Sequence, residues 1–228
     1  MMKILFLFFY NFFENFFYLK KIEKFLRNNI LFKKPIIFDV GSHKGKMAKL
    51  FKSIYTNASI YCFEPNKKLQ KYYKNNRKNI SFFNYAVGNK TEYKNIYLSQ
   101  LDLTSTFSKI NEQSLYLKIK NFIIGKSKTS FSKKVKVVTL DNFCKSKKIN
   151  KIDFLKIDVE GFEYMVLLGS KNIIKNVKYI MIEIQKNDMY TNYSKNKIEN
   201  FLKKNKFKLI KKFKFPFMFF QDCIYKRY

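Results

Sequence analysis

At 228 residues, 46% of them hydrophobic, the chain suits one domain with a full core and needs no second. Its formal charge of +31 invites a polyanion, but arginine occurs only at Arg27, Arg77 and Arg227, and lysine spread from Lys3 to Lys226 is the bias of A+T-rich coding rather than a phosphate-reading surface, so no specific nucleic-acid partner is expected. Cys62, Cys144 and Cys223 form neither a disulfide framework nor a zinc pattern, which leaves a reducing, cytoplasmic setting as the default.

Residues 4–19, ILFLFFYNFFENFFYL, are strongly apolar, with Asn11, Glu14 and Asn15 interrupting them at helical spacing. No small-residue cleavage site follows, and Glu14 near the middle argues against a membrane span, which needs roughly twenty apolar residues. Two readings remain: a helix packed on the domain or a partner, which is favoured, and peripheral membrane contact with Lys20, Lys21 and Lys24 at the headgroups. Residues 1–34 are thus an apolar or amphipathic helical extension, and 35–228 are the domain.

The run IIFDVGSHKG, 36–45, is a buried strand ending at Asp39 and turning through Gly41 and Gly45. Met47, Leu50, Phe51 and Ile54 follow at helical spacing. A strand, a glycine turn and a helix form the place where an α/β protein holds a nucleotide-like ligand, with glycine letting backbone pass close to it. A purely structural turn is the plain alternative. SIYCF, 59–63, is a second strand that ends on Glu64, positioned to accept hydrogen bonds from ribose hydroxyls. Pro65 stops it, and KKLQKYYKNN (67–76) continues as a helix.

NISFFNYAVG (79–88) is a third strand and turn. NIYLSQ (95–100) and KVKVVTL (134–140) are extra strands flanking a polar loop, 108–134, with a helix over 111–121. DNFCKSKK (141–148) starts a helix capped by Asp141. FLKID (154–158) is a central strand that delivers Asp158, with Glu160 and Glu163 just beyond. These carboxylates must bind something or sit in water, as at a solvated helix start. YMVLLGSKNII (164–174) is a helix, KYIMIEI (178–184) a strand and KIENFLKKN (197–205) a helix. A terminal antiparallel hairpin turns near Pro216.

In order, D-V-G-x-x-x-G, F-E-P and K-I-D-V-E-G-x-E resemble the FkbM family of S-adenosylmethionine-dependent methyltransferases, from about Pro35 to Gln185. NYAVGN (84–89), LTSTF (103–107), VVTLDNF (137–143) and MIEIQ (181–185) extend the likeness. His43 stands where the family commonly has Asn, and Lys46 where it has an aromatic. The resemblance implies a Rossmann-like class I methyltransferase fold, α/β, with a mostly parallel sheet of about seven strands. It also implies S-adenosylmethionine as cofactor, bound by Asp39, Gly41, His43, Gly45, Glu64, Pro65, Asn84, Ala86 and Asp158, and a catalytic set of Lys156, Asp158 and Glu160.

Asp158 is the expected general base for methyl transfer to a hydroxyl, since it ends a strand beside the glycine turn. His43, the only histidine, is read as shaping that turn. Asp158 with Glu183 could hold Mg²⁺. The implied acceptor is a hydroxyl of a carbohydrate or glycoconjugate, with Tyr116 and Phe122 as aromatic faces. An RNA or protein methyltransferase, or a non-catalytic membrane-associated protein of this fold, is the alternative.

Overall fold

A strand that is buried on both faces must be covered by helices on both sides, and Ile36–Val40 (β1) is of this kind. The computed structural model describes residues 14–73, 79–99, 105–124, 129–214 and 220–228. A π-helical turn, Glu14–Tyr18, leads into α1 (Leu19–Asn29), β1, α2 (Lys46–Ile54), β2 (Ser59–Phe63), a 3₁₀ turn (Lys67–Tyr73) and β3 (Ile80–Phe83). Next come β4 (Ala86–Val87), β5 (Glu92–Ser99), β6 (Ser105–Thr106), α3 (Leu115–Ile124) and β7 (Thr129–Val138). The chain ends with α4 (Leu140–Ser146), β8 (Ile152–Ile157), α5 (Glu163–Leu168), a 3₁₀ turn (Ile173–Asn176), β9 (Val177–Gln185), α6 (Lys195–Lys204), β10 (Phe207–Lys214) and β11 (Phe220–Arg227).

The main sheet has seven strands in the order β10-β11-β9-β8-β1-β2-β3. From β9 to β3 all neighbours are parallel, and β11 runs antiparallel to both β9 and β10. The fold class expected from sequence is present, including the terminal antiparallel pair, although its turn at Pro216 lies outside the described residues. Strand order reverses between β1 and β8, so their C-terminal ends flank the crevice where such sheets bind ligands. Alternate residues feed two cores: Phe38 and Leu155 pack on one face, Ile37 and Phe154 on the other. Ile22 and Leu26 of α1 are buried in the second core beside Phe51. No helix among the described residues is long and apolar enough to cross a membrane, and most of the apolar run 4–19 lies outside them.

Several local expectations change. The extra strands form a separate four-stranded sheet, β4-β7-β5-β6. Of the predicted helix over 67–76, the described part is 3₁₀. The helix predicted over 111–121 starts only at Leu115, because Asn111 N–H is bonded to Met189 O at 2.8 Å and Ile110 bridges Tyr190. Thr139, not Asp141, caps α4: its hydroxyl accepts from Asn142 N–H at 3.0 Å. Asp141 instead caps the 3₁₀ turn Ile173–Asn176, accepting from Asn172 N–H and Ile173 N–H. That capture, with Gly169 O accepting from Asp141 N–H, breaks the helix predicted over 164–174 into α5 and a 3₁₀ turn.

Candidate active site

Asp39 and Lys156 lie opposite each other in the β1–β8 register. The Lys156 side chain is 6% exposed, and its Nζ lies 2.9 Å from Asp158 Oδ2 and 3.6 Å from Asp39 Oδ1. Burial alone would lower the lysine's pKa, but Asp158 and Asp39 raise it above its ordinary value. Burial pushes the Asp39 carboxyl up, and Lys156 opposes that shift. Asp39 is fully buried, and besides the Ala48 N–H the Lys156 ammonium is its main compensation. The Asp158 side chain is 31% exposed, which leaves it accessible at the strand end.

The glycine turn closes over this cluster. Gly41 N–H and Ser42 N–H both donate to Phe63 O, at 3.0 and 3.1 Å, tying the ends of β1 and β2 together. Gly41 has φ +78°, and a Cβ there would lie 1.7 Å from Asp158 O. A Cβ at Gly45 (φ +73°) would lie 3.1 Å from the Tyr73 ring. These glycines were expected to clear space for a ligand; a Cβ at each would already meet protein atoms. Tyr73 fastens the turn, its hydroxyl donating to Ser42 Oγ at 2.8 Å.

Glu64 is almost fully buried and accepts from Asn66 N–H (2.8 Å), His43 N–H (3.1 Å) and Ser105 Oγ (3.4 Å). Burial pushes its carboxyl up to about 7, against the pull of the Asn66 and His43 N–H groups. Asn84 donates its amide to the carbonyls of Glu64 and Pro65, both at 2.9 Å, and so holds the β2 exit. Ala86 is not brought to this cluster: it is buried in the small core of the second sheet with Ile96, Val135 and Val137.

The three carboxylates after β8 have separate surroundings. Glu163 is fully buried and accepts from Val159 N–H and Gly161 N–H, both at 3.1 Å, so it staples its own loop. Burial pushes it up to about 8. Glu160 (φ +55°) accepts from the Tyr190 hydroxyl at 2.6 Å, and its carbonyl accepts from Thr106. On the neighbouring strands Asp222 pairs in register with Glu183, Gln185 donates to Glu183, and the Tyr18 hydroxyl donates to Asp222 at 2.6 Å. Burial pushes Asp222 up to about 6. Sequence reasoning missed Tyr18, Tyr190 and Asp222. The Mg²⁺ expectation is not supported: the cation facing Asp158 is the Lys156 ammonium. Among the described residues no group of three or more His, Cys, Asp or Glu could hold a metal.

Beside this loop a groove of about 360 Å³ runs past Gly161, Phe162, Phe107, Ser108 and Tyr193. The Phe107 and Phe162 rings lie 5.0 Å apart, with Lys94 Nζ over both. Tyr116 and Phe122, the aromatics expected to face an acceptor, do not line it, and Phe122 is 79% exposed on α3.

A parallel sheet in this order, with one reversed strand and an acid-flanked glycine turn at its switch point, defines the class I S-adenosylmethionine-dependent methyltransferase fold. A solved methyltransferase FkbM from Methylobacillus flagellatus KT matches at TM-score 0.55 and 13% identity, covering 89% of this chain and 46% of that one. Magnesium protoporphyrin IX methyltransferase (ChlM) from Synechocystis PCC 6803, solved with bound SAM, matches at 0.52 and 10% identity, covering 92% and 78%. The pattern of the methyltransferase FkbM domain fits residues 39–209, and the chain belongs to the FkbM family of S-adenosylmethionine-dependent methyltransferases. A curated relative, the 2-O-methyltransferase NoeI of Sinorhizobium fredii (strain NBRC 101917 / NGR234), is 24% identical over 164 residues, which are 68% of this chain. The chain spans 65% of that relative's length.

Gly41→Ala should therefore act on folding rather than on ligand space. Without cofactor its melting temperature should fall well beyond the shift from an ordinary surface substitution, which is within about 0.5 kcal/mol. Gly45→Ala should be milder, because a ring can shift where a carbonyl cannot. A Gly41→Ala protein that melts like the wild type yet fails to bind S-adenosylmethionine would reverse this reading.

Proposed function

We propose that the chain transfers the methyl group of S-adenosylmethionine to a hydroxyl oxygen of a carbohydrate or glycoconjugate. One observation carries this: Asp158 presents an accessible carboxylate anchored by a buried lysine, on a residue whose backbone carbonyl packs against the glycine turn. The residues suit the cofactor. A carboxylate offers about four lone-pair sites, and the bonds to Glu64 leave room for a ribose hydroxyl, above all where the 3.4 Å Ser105 contact can be given up. When bound, the cofactor supplies an electrophilic methyl group.

The chain's own part is to hold the acceptor oxygen in line and to receive its proton. With the cofactor's methyl group accepted by the hydroxyl oxygen and its sulfur leaving as the neutral thioether, the hydroxyl proton would pass to Asp158 and then to water. A sugar hydroxyl has a pKa far above neutral, so removing its proton during attack contributes typically 10²–10⁴-fold. Lys156 holds Asp158 in place for this task. Glu160, fixed by Tyr190, shapes the loop around it. The groove beside Gly161 offers phenyl faces for a sugar ring together with hydroxyls from Ser108 and Tyr193. The likeness to NoeI, a 2-O-methyltransferase, supports oxygen as the acceptor atom.

Asp158→Asn should keep its affinity for S-adenosylmethionine while labelled methyl transfer to a panel of glycans falls about 10²–10⁴-fold. Loss of cofactor affinity equal to the loss of rate would make the carboxylate structural instead.

Ribose hydroxyls favour ionised Glu64, whose free carboxyl titrates near 7. Binding therefore draws a proton off, and affinity should weaken as pH falls below that value, by at most about tenfold per unit. Calorimetry should show this slope in the wild type. Glu64→Gln should show weaker binding without that slope. A wild-type profile identical to that of the variant would remove the ribose assignment.

A further inference from the structure

A second groove, of about 560 Å³, lies between α1 and the edge strand β10, away from the acceptor groove. Its walls carry Lys21 and Lys24 from α1 and Lys211, Lys212 and Lys214 from β10, and among the described residues no acidic one lines it. Among the described residues none of these five lysines has an ion-pair partner. Its floor is apolar, with Phe25 edge-on to Phe213 at 5.8 Å. Five ammonium groups converging on one concave face repel one another, and an anionic surface would relieve that repulsion.

One turn before the groove, Phe16 and Phe17 are 55% and 49% exposed. The sequence before them, ILFLFFYNFF at 4–13, is more apolar still. Exposed phenyl rings cost free energy in water, and a nucleic acid would leave most of that area unburied. Among the described residues the groove also contains no arginine, the residue suited to phosphate forks and base edges. Lysines that reach lipid phosphates beside aromatics that enter the acyl boundary are the pattern of an interfacial anchor.

We propose that the face formed by Phe16, Phe17, α1 and β10 docks on the surface of an anionic lipid bilayer. Tyr18 joins this face to the catalytic edge: it lines the groove, and its hydroxyl donates to Asp222, which sits opposite Glu183 at the strand ends. Docking therefore brings the strand-end rim to the bilayer, where an acceptor hydroxyl carried on a lipid would be presented; that last clause rests on the proposed methyl transfer, whereas the docking itself does not.

The chain contains no tryptophan, so Phe17→Trp supplies a single reporter. Its emission should shift to the blue with vesicles of phosphatidylcholine and phosphatidylglycerol, and not with phosphatidylcholine alone or with an RNA oligomer. In co-sedimentation, reversing Lys21, Lys24, Lys211 and Lys212 to Glu should weaken binding to the anionic vesicles by about tenfold or more. Reversing Lys133, Lys134, Lys136 and Lys147 imposes the same net charge elsewhere and should cost much less. An unshifted reporter at saturating vesicle concentration, or equal losses in the two charge-reversed proteins, would overturn the proposal. So would loss of RNA binding with vesicle binding intact. Each result reads lipid binding alone, so the proposed methyl transfer stands or falls separately.

Discussion

The Lys156 ammonium sits at the end of β8 with one carboxylate on either side, Asp39 on β1 and Asp158 at its own strand's end. Two acids at the mouth of a parallel sheet cannot both stay ionised in a buried setting unless a cation is shared between them. That shared cation lets Asp39 lie fully buried while Asp158 remains accessible. It is also placed where strand order reverses, the one position at which two adjacent strand ends open onto the same crevice.

The rest of the site follows from how closely β1 and β8 approach there. Asp158 N–H donates to Val40 O, and the Asp158 carbonyl then lies where a Gly41 side chain would be. The turn must take positive φ, its two N–H groups fold back on Phe63 O, and Tyr73 fastens it from outside. Glu64 is drawn under His43 and Asn66 by the same closure. The acids along the rim thus have different anchors: the shared lysine for Asp39 and Asp158, backbone N–H groups for Glu64 and Glu163, phenols for Glu160 and Asp222, and the Gln185 amide for Glu183.

The strands ending at Asp39, Glu64 and Asp158 were legible because a buried parallel strand is a short apolar run, and an acid at its tip stands out. What surrounds those acids was not. The Tyr18–Asp222 bond joins residues 204 positions apart, and nothing local distinguishes that tyrosine among the sixteen in the chain. Asp141 carries a sound local signal for a helix cap, but a neighbouring loop takes the carboxylate and leaves Thr139 to cap. The glycines announced a turn, whereas its left-handed backbone and the reason for it, a carbonyl from a segment more than a hundred residues later, are properties of the packed sheet.

Removing the shared cation without changing the shape of the site bears most directly on this arrangement. Lys156→Met leaves Asp39 buried without a cation, and unfolding measured against pH should expose that. Near neutral pH the variant should lose roughly 3–5 kcal/mol, the range for breaking one side of a buried pair. With its native pKa raised above the unfolded value, Asp39 costs stability as pH rises through it, so the deficit should shrink on acidification. A deficit that stays constant across the acid range, or falls below about 1 kcal/mol at neutral pH, would contradict the role assigned to Lys156.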